Sequence, residues 1–169
     1  MKIYALMENT PYAPQFAAEH GLSLYIETDR HRLLFDAGAT GAFADNAERL
    51  GVDLSRVELA VLSHDHYDHG GGLARFLELN SRAPVYLSEH AFGRRYDAGG
   101  RYIGIDPALR ESGRLQFVGD RLELDDQLTL YACNGEAAVY PLDSAGHTEE
   151  RDGARHPDRF LHEQYLMIR

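Results

Sequence analysis

The chain has 169 residues, 44% of them apolar and 26% charged, which suits one globular domain of ordinary size or part of a larger one. A formal net charge of −10 argues against a general affinity for nucleic acid or anionic membrane, although cations at a metal site could still bring a phosphate to it. The single cysteine, Cys133, excludes an intrachain disulfide; with no signal-peptide pattern and no stretch near the roughly 18 apolar residues of a membrane span, a cytoplasmic setting is expected.

In chain order, residues 1–8 (MKIYALME) predict a first strand, and 9–20, with Pro11 and Pro14, a loop. Residues 22–28 predict a strand turning at Asp29-Arg30 into 32–38 (RLLFDAG), a buried strand that stops at Asp36. Phe43, Ala47 and Leu50 stand at helical spacing, and Gly51 is a natural stop, so 41–50 reads as a helix. Residues 58–62 (ELAVL) form a second buried strand that runs into Ser63 and a group of histidines. A helix is expected at 73–79, a strand at 84–88, a short helix at 89–96 and irregular chain at 97–113. Short strands follow at 115–118, 121–124 and 127–132. Residues 134–159, rich in glycine, proline and charge, read as a long loop. The run Tyr165-Leu166-Met167-Ile168 within a strand at 163–169 is apolar enough to call for a place inside a sheet. Alternating strands and helices followed by short strands indicate an α/β sandwich.

His64, His66, Asp68 and His69 spell H-x-H-x-D-H directly after a buried strand. In extended chain alternate residues point the same way, so His64 and His66 can face one point. Asp68 and His69, at the turn into a helix, can face a second point close by. Three imidazoles and a carboxylate suit zinc, and serve iron or manganese. Gly70, Gly71 and Gly72 allow the backbone to pack tightly against such a site. Asp65 can lie beside a metal or act as acid or base; Tyr67 reads as packing.

The segment LLFDAG…LAVLSHDHYDHGGGL resembles the core of the metallo-β-lactamase superfamily. The resemblance implies an αββα sandwich with two metal ions, His64 and His66 on the first, Asp68 and His69 on the second. It also implies that Asp36 supports a metal-bound histidine from behind, so Asp68 and Asp36 are the carboxylates expected to serve catalysis. LMENT near the start, NGE at 134–136 and DRFLHEQYLMIR at the end resemble the dihydropterin-synthase-like branch, which includes pterin-ribofuranosyl-aminobenzene-phosphate synthases. In that branch a Gly-Cys-x-His motif after the HEQ strand supplies the third ligand of the first metal. The 169 residues hold no such motif, so the chain is expected to correspond to the N-terminal half, or somewhat more, of one such domain. His147 in SAGHTEE is a candidate replacement ligand, with His156 and His162 weaker ones. His20, His31 and His90 read as surface or ordinary polar residues.

The resemblance implies a metal-dependent hydrolase. A dinuclear centre lowers the pKa of a bridging water to about 7, giving a nucleophile for a phosphorus or carbonyl centre. A phosphate-ester or pterin-like small molecule is the expected substrate. The rival reading is a non-catalytic half-site, completed by a homodimer or a partner chain. A third is an iron oxidoreductase of the flavodiiron kind, whose motif resembles H-x-E-x-D-H; His66 stands where that Glu would be, which favours the hydrolase.

Overall fold

The computed structural model describes residues 1–132 and 146–169. Strands β1 (Lys2–Met7), β2 (Ser23–Glu27) and β3 (Arg32–Phe35) form an antiparallel meander, with Leu24 opposite Phe35 and Ile26 opposite Leu33. Helix α1 (Ala42–Arg49) follows, then β4 (Leu59–Val61), the single turn α2 (Tyr67–Gly70), α3 (Leu73–Leu79) and β5 (Val85–Ser88). After the short β6 (Arg95–Tyr96) and a 3-10 segment at Pro107–Ser112 come β7 (Leu115–Val118), β8 (Arg121–Glu123) and β9 (Leu128–Tyr131). Strands β10 (Thr148–Arg151), β11 (Ala154–Pro157) and β12 (Tyr165–Ile168) complete the described chain.

Six strands form one sheet in the order β1-β2-β3-β4-β5-β7, parallel from β3 onward, and a second sheet runs β12-β9-β8. The central strands read as unbroken apolar runs because both of their faces are covered. Leu33 and Leu34 are both fully buried, on opposite faces. Leu34 packs with Phe43, Leu73 and Phe76 under the helices, whereas Leu33 meets Ile26 and Leu128 between the sheets. Val61, Val118 and Leu130 continue that second core, with Leu166 packed against it. The described residues thus build helix layer, sheet and sheet, three of the four layers of an αββα sandwich. Among them no helix is long and apolar enough to cross a membrane.

Four sequence expectations need correction. Residues 89–96 are not a helix: Phe92 adopts φ +66, its amide is taken by the Asp65 carboxylate, and the chain enters β6. Residues 97–113 are not wholly irregular, since Asp106 caps the 3-10 segment by accepting from the Ala108 amide at 2.9 Å. The stretch 134–159 is not a loop throughout. Thr148–Pro157 is a hairpin turning at Asp152 and Gly153, whose φ values of +52 and +75 are those of a tight turn with both central residues left-handed. The part at 133–145, with Cys133 and the NGE motif, lies outside the described residues. Finally, among the described residues β12 stands at the edge of its sheet, with its apolar residues Leu166 and Ile168 turned inward.

Phe43 is fully buried at the contact of α1 with the six-stranded sheet. Phe43→Ala is expected to lower unfolding free energy by about 3–5 kcal/mol in urea denaturation; a loss below about 1 kcal/mol would show that the helix layer does not anchor the sheet.

Candidate metal centre

The site begins where β3 and β4 end side by side. Asp36 continues the pairing through its amide, 2.9 Å from the Val61 carbonyl, then turns at φ +58. A short polar residue tolerates that left-handed geometry better than a branched one. The turn buries the Asp36 carboxylate behind the histidine run. Its Oδ1 accepts from the Ser63 amide at 2.7 Å. Its Oδ2 accepts from Ser63 Oγ at 2.8 Å and from His69 Nδ1 at 2.7 Å. The Ser63 hydroxyl spends its one proton on Asp36, so at 2.9 Å it accepts from His64 Nδ1. Both Nδ1 atoms therefore carry protons, and both Nε2 atoms keep lone pairs for a metal.

The chain stays extended through His66 and then makes the single turn α2, with the His69 and Gly70 amides donating to the His66 carbonyl at 3.1 and 2.9 Å. The turn is held tightly against the Asp36 loop: a Cβ on Gly72 would sit 2.1 Å from the Ala37 carbonyl oxygen. This geometry brings the four motif residues together. The His64 ring lies 4.7 Å from His66 and 4.1 Å from His69, centre to centre, and Asp68 Oδ2 is 3.5 Å from His69 Nε2. Asp36 touches Ser63 and His69 from inside and is buried away from the open side, so it acts through those residues. Tyr67 lies under the Arg101 guanidinium, 5.3 Å from its ring centre, a packing role as expected.

Residues the sequence reading set aside join the site. His20 is exposed, as expected of a surface residue, yet its Nε2 faces Asp68 Oδ2 at 3.4 Å. The loop carrying it is strapped down: Glu19 Oε1 accepts from the Ala39 and Thr40 amides at 2.9 Å each, and the Leu22 amide donates to the Asp68 carbonyl at 3.3 Å. On the buried side, His162 and Asp158 approach His66. Asp158 Oδ2 lies 3.5 Å from His162 Nε2 and 3.9 Å from His66 Nε2. Asp65 is buried beneath them, bonded to Arg95 Nη1 at 2.8 Å through both oxygens and to His162 Nδ1 at 2.6 Å. The His147 ring is 5.4 Å from His66, at the margin of the cluster. His156 sits on β11 opposite Glu149, His90 beside Glu89, and His31 pairs with Glu58 and Asp125, all as ordinary polar residues.

Burial, and then the positive character of His69, His66 and His162, push the His64 imidazole down to about 2, so it is neutral at any ordinary pH. Burial would lower His69 too, but the hydrogen bond and charge of Asp36 outweigh it and hold that ring above its usual value. Burial would raise Asp158, yet its contacts with His162 and His66 outweigh burial and keep the carboxylate ionised. Among the described residues, His66 Nε2, His162 Nε2 and Asp158 Oδ2 are buried without a hydrogen-bond partner. All three belong to one ion-paired cluster: burial would lower His162, but its contacts with Asp158 and Asp65 outweigh burial and hold that ring above its usual value. The neutral His64 ring, with His66, His69 and the Asp68 carboxylate beside it, offers zinc its usual nitrogen and oxygen donors, so the residues present fit the ion.

A family model described as the Metallo-beta-lactamase superfamily matches residues 18–162. An uncharacterized protein of Methanocaldococcus jannaschii, MJ0448, is 31% identical over 178 residues, covering 99% of this chain and 66% of its own length. A 7,8-dihydropterin-6-methyl-4-(beta-D-ribofuranosyl)-aminobenzene-5'-phosphate synthase of the same organism is 33% identical over 102 residues, 54% of this chain and 34% of the synthase. Among solved structures, Tm1679, a metal-dependent hydrolase of the beta-lactamase superfamily, matches with a TM-score of 0.76 and 31% identity. That match covers 99% of this chain and 60% of Tm1679, so the chain spans less than two thirds of the relatives it follows end to end.

Asp36→Asn keeps a residue type that accepts positive φ but can no longer serve Ser63 and His69 as a charged acceptor. Zinc affinity measured by competition with a chromophoric chelator is expected to fall about 10–100-fold with the fold retained; affinity equal to the wild type would remove Asp36 from the site.

Proposed function

Since the chain belongs to the metallo-β-lactamase superfamily, we propose that it is a metal-dependent hydrolase acting on a small phosphate-ester or pterin-like molecule. The observation that carries this reading is the convergence of His64, His66, Asp68 and His69 with Asp36 buried behind them. His64 and His66 would hold one ion, Asp68 and His69 a second. The superfamily typically uses zinc, and iron or manganese suits the same donors. Zinc held there lowers the pKa of a bound water to about 7 and offsets charge on a phosphoryl or carbonyl oxygen.

The chain's own residues do the remaining work. Asp36 and Ser63 fix the proton on Nδ1 of His64 and His69 and so aim both Nε2 atoms at one region. Asp68 is the carboxylate nearest solvent, its side chain 14% exposed, where Oδ2 can take a proton as water adds to the substrate. His20 Nε2 faces that oxygen at 3.4 Å from the open side. The net charge of −10 supports a small substrate over a polyanion. The pterin-related synthase among the relatives supports the phosphate-ester and pterin class.

Metal content per chain, by elemental analysis, together with hydrolysis of bis(p-nitrophenyl) phosphate, tests the proposal. His64→Ala and Asp68→Ala are expected to lose metal and to cut hydrolysis by more than about 100-fold, beyond the loss typical of a supporting residue. Undiminished metal in both variants would overturn the assignment.

A further inference from the structure

We propose that Arg151 and Arg159 form an anion clamp at the margin of the histidine cluster, which takes a terminal phosphate of the substrate while another part of the molecule reaches the metal-binding residues. The inference rests on the hydrolase reading above and narrows its substrate to molecules that carry a phosphate monoester apart from the bond that is broken. Both guanidinium groups converge on one oxygen. Arg159 Nε donates to Glu149 Oε1 at 2.6 Å, and Arg151 Nε lies 2.7 Å from the same atom. The Glu149 carboxylate is buried, whereas the Arg151 and Arg159 side chains are 37% and 49% exposed.

Three short strands fix this pair. Glu149 stands on β10, the middle strand of the sheet β11-β10-β6, opposite His156 on one side and Arg95 on the other. Arg151 ends the same strand two residues on, so its side chain leaves from the same face. Arg159 follows β11, in the turn that returns to the cluster. There the Asp158 amide donates to the His147 carbonyl at 3.1 Å, and the Phe160 amide to Asp158 Oδ1 at 2.8 Å. That turn sets the clamp beside the site, because Asp158 Oδ2 lies 3.9 Å from His66 Nε2 and the Phe160 ring centre 5.9 Å from that of His66. Alternate residues of the hairpin face the other way. Glu150 meets Arg94 at 3.4 Å and the Tyr96 hydroxyl at 3.1 Å, and the Arg155 guanidinium lies 3.8 Å from the Tyr96 ring centre.

This face is left positive. Glu149 has one negative charge and two guanidinium partners, and among the described residues no other carboxylate lies within ion-pair distance of either arginine. One positive charge therefore stays uncompensated, in a chain whose net charge is −10. Each arginine meets Glu149 through Nε, which leaves its terminal Nη groups for a ligand. Water screens ion pairs as exposed as these, so their contribution to stability is small and their effect is to place the two guanidinium groups together. Two such groups repel each other, and a divalent oxyanion across them removes the repulsion. A phosphate monoester carries about −1.5 to −2 charges at pH 7 and three acceptor oxygens, and arginine matches that geometry with paired donors. A carboxylate brings one charge and two oxygens, which a single arginine satisfies, so the second guanidinium points to phosphate.

Titration of ribose 5-phosphate into the whole chain, with zinc present and with zinc removed by a chelator, tests this without any substitution when read at the arginine Nε–Hε resonances in proton–nitrogen spectra. Those of Arg151 and Arg159 should shift together with ribose 5-phosphate, stay still with ribose, and respond to inorganic phosphate as a competitor for the same place. In parallel, Arg151→Gln and Arg159→Gln should each weaken ribose 5-phosphate binding about tenfold or more, the worth of a charge-assisted hydrogen bond. Arg155→Gln, on the opposite face of the hairpin, should leave that binding within about twofold of the wild type. Resonances of Arg151 and Arg159 unmoved by ribose 5-phosphate, or an equal loss of binding in Arg155→Gln, would overturn the clamp and leave the proposed hydrolase standing. The expected shifts in a chain that binds no zinc would support the clamp and overturn the hydrolase.

Discussion

The carboxylate of Asp36 is the joint between the scaffold and the chemistry. It sits at the end of β3, reaches across to the end of β4, and accepts three hydrogen bonds there, from the Ser63 amide, the Ser63 hydroxyl and His69 Nδ1. Through the serine hydroxyl it also dictates which nitrogen of His64 carries a proton. One buried side chain thus orients two imidazoles on opposite sides of a turn. The parallel pairing of β3 with β4 makes this possible, because Phe35 lies opposite Val61 and the two strands deliver Asp36 and Ser63 to the same level. A slip of one residue in that register would turn Asp36 to the opposite face of the sheet and leave a buried carboxylate without donors.

Asp65 repeats the arrangement in the other half of the site. As Asp36 stands behind His69, so Asp65 stands behind His162, with the Arg95 guanidinium donating to it where Ser63 donates to Asp36. Each buried carboxylate fixes a tautomer, and each therefore needs partners of its own, since an uncompensated charge in the interior is expensive. This explains why the segment at 89–96 bends instead of forming a helix. Helical geometry would return the Phe92 amide to a backbone carbonyl and carry Arg95 away, leaving Asp65 to lose donors on both oxygens. Local helix propensity at these residues is worth a few tenths of a kcal/mol each, and a stranded buried carboxylate costs several, so the tertiary demand wins.

What could be read from the sequence follows from the distance over which each feature acts. The four residues His64, His66, Asp68 and His69 were legible because strand periodicity and one turn place them locally. The apolar runs that became β3, β4 and β5 were legible because burial on both faces leaves a continuous pattern. The hairpin at Thr148–Pro157 was not, because TEER and ARHP carry no alternation of apolar residues, and only Asp152-Gly153 marked its turn. Arg95 and Asp158 were hidden, His20 read as a surface residue and His162 stood only as a weaker candidate, for a different reason. Their value comes from chain segments brought in from far away, and a histidine four residues after an aspartate suggests nothing when the intervening chain is a turn. Ser63 reads in sequence only as the end of a strand, although its place directly before His64 is what lets one hydroxyl bridge Asp36 to the ring.

The two halves of the site differ in their access to water, and that difference assigns them different tasks. Asp158, His162 and Asp65 have fully buried side chains, whereas Asp68 and His69 are 14% and 20% exposed and His20 is 75% exposed. Charge interactions on the dry side are screened little, so the ion pairs of Asp65, Arg95, Asp158 and His162 hold one another firmly in place. On the wet side the same pairs are weaker, their geometry can adjust, and a substrate can enter. The open side of the site is therefore at Asp68 and His20, with His66 and the 158–162 segment buried beneath it. The loop bearing His20 is consequently part of the site's rim. Its bonds from Glu19 to the Ala39 and Thr40 amides tie that rim to the turn that follows Asp36, so the open side and the buried joint are held by the same stretch of chain.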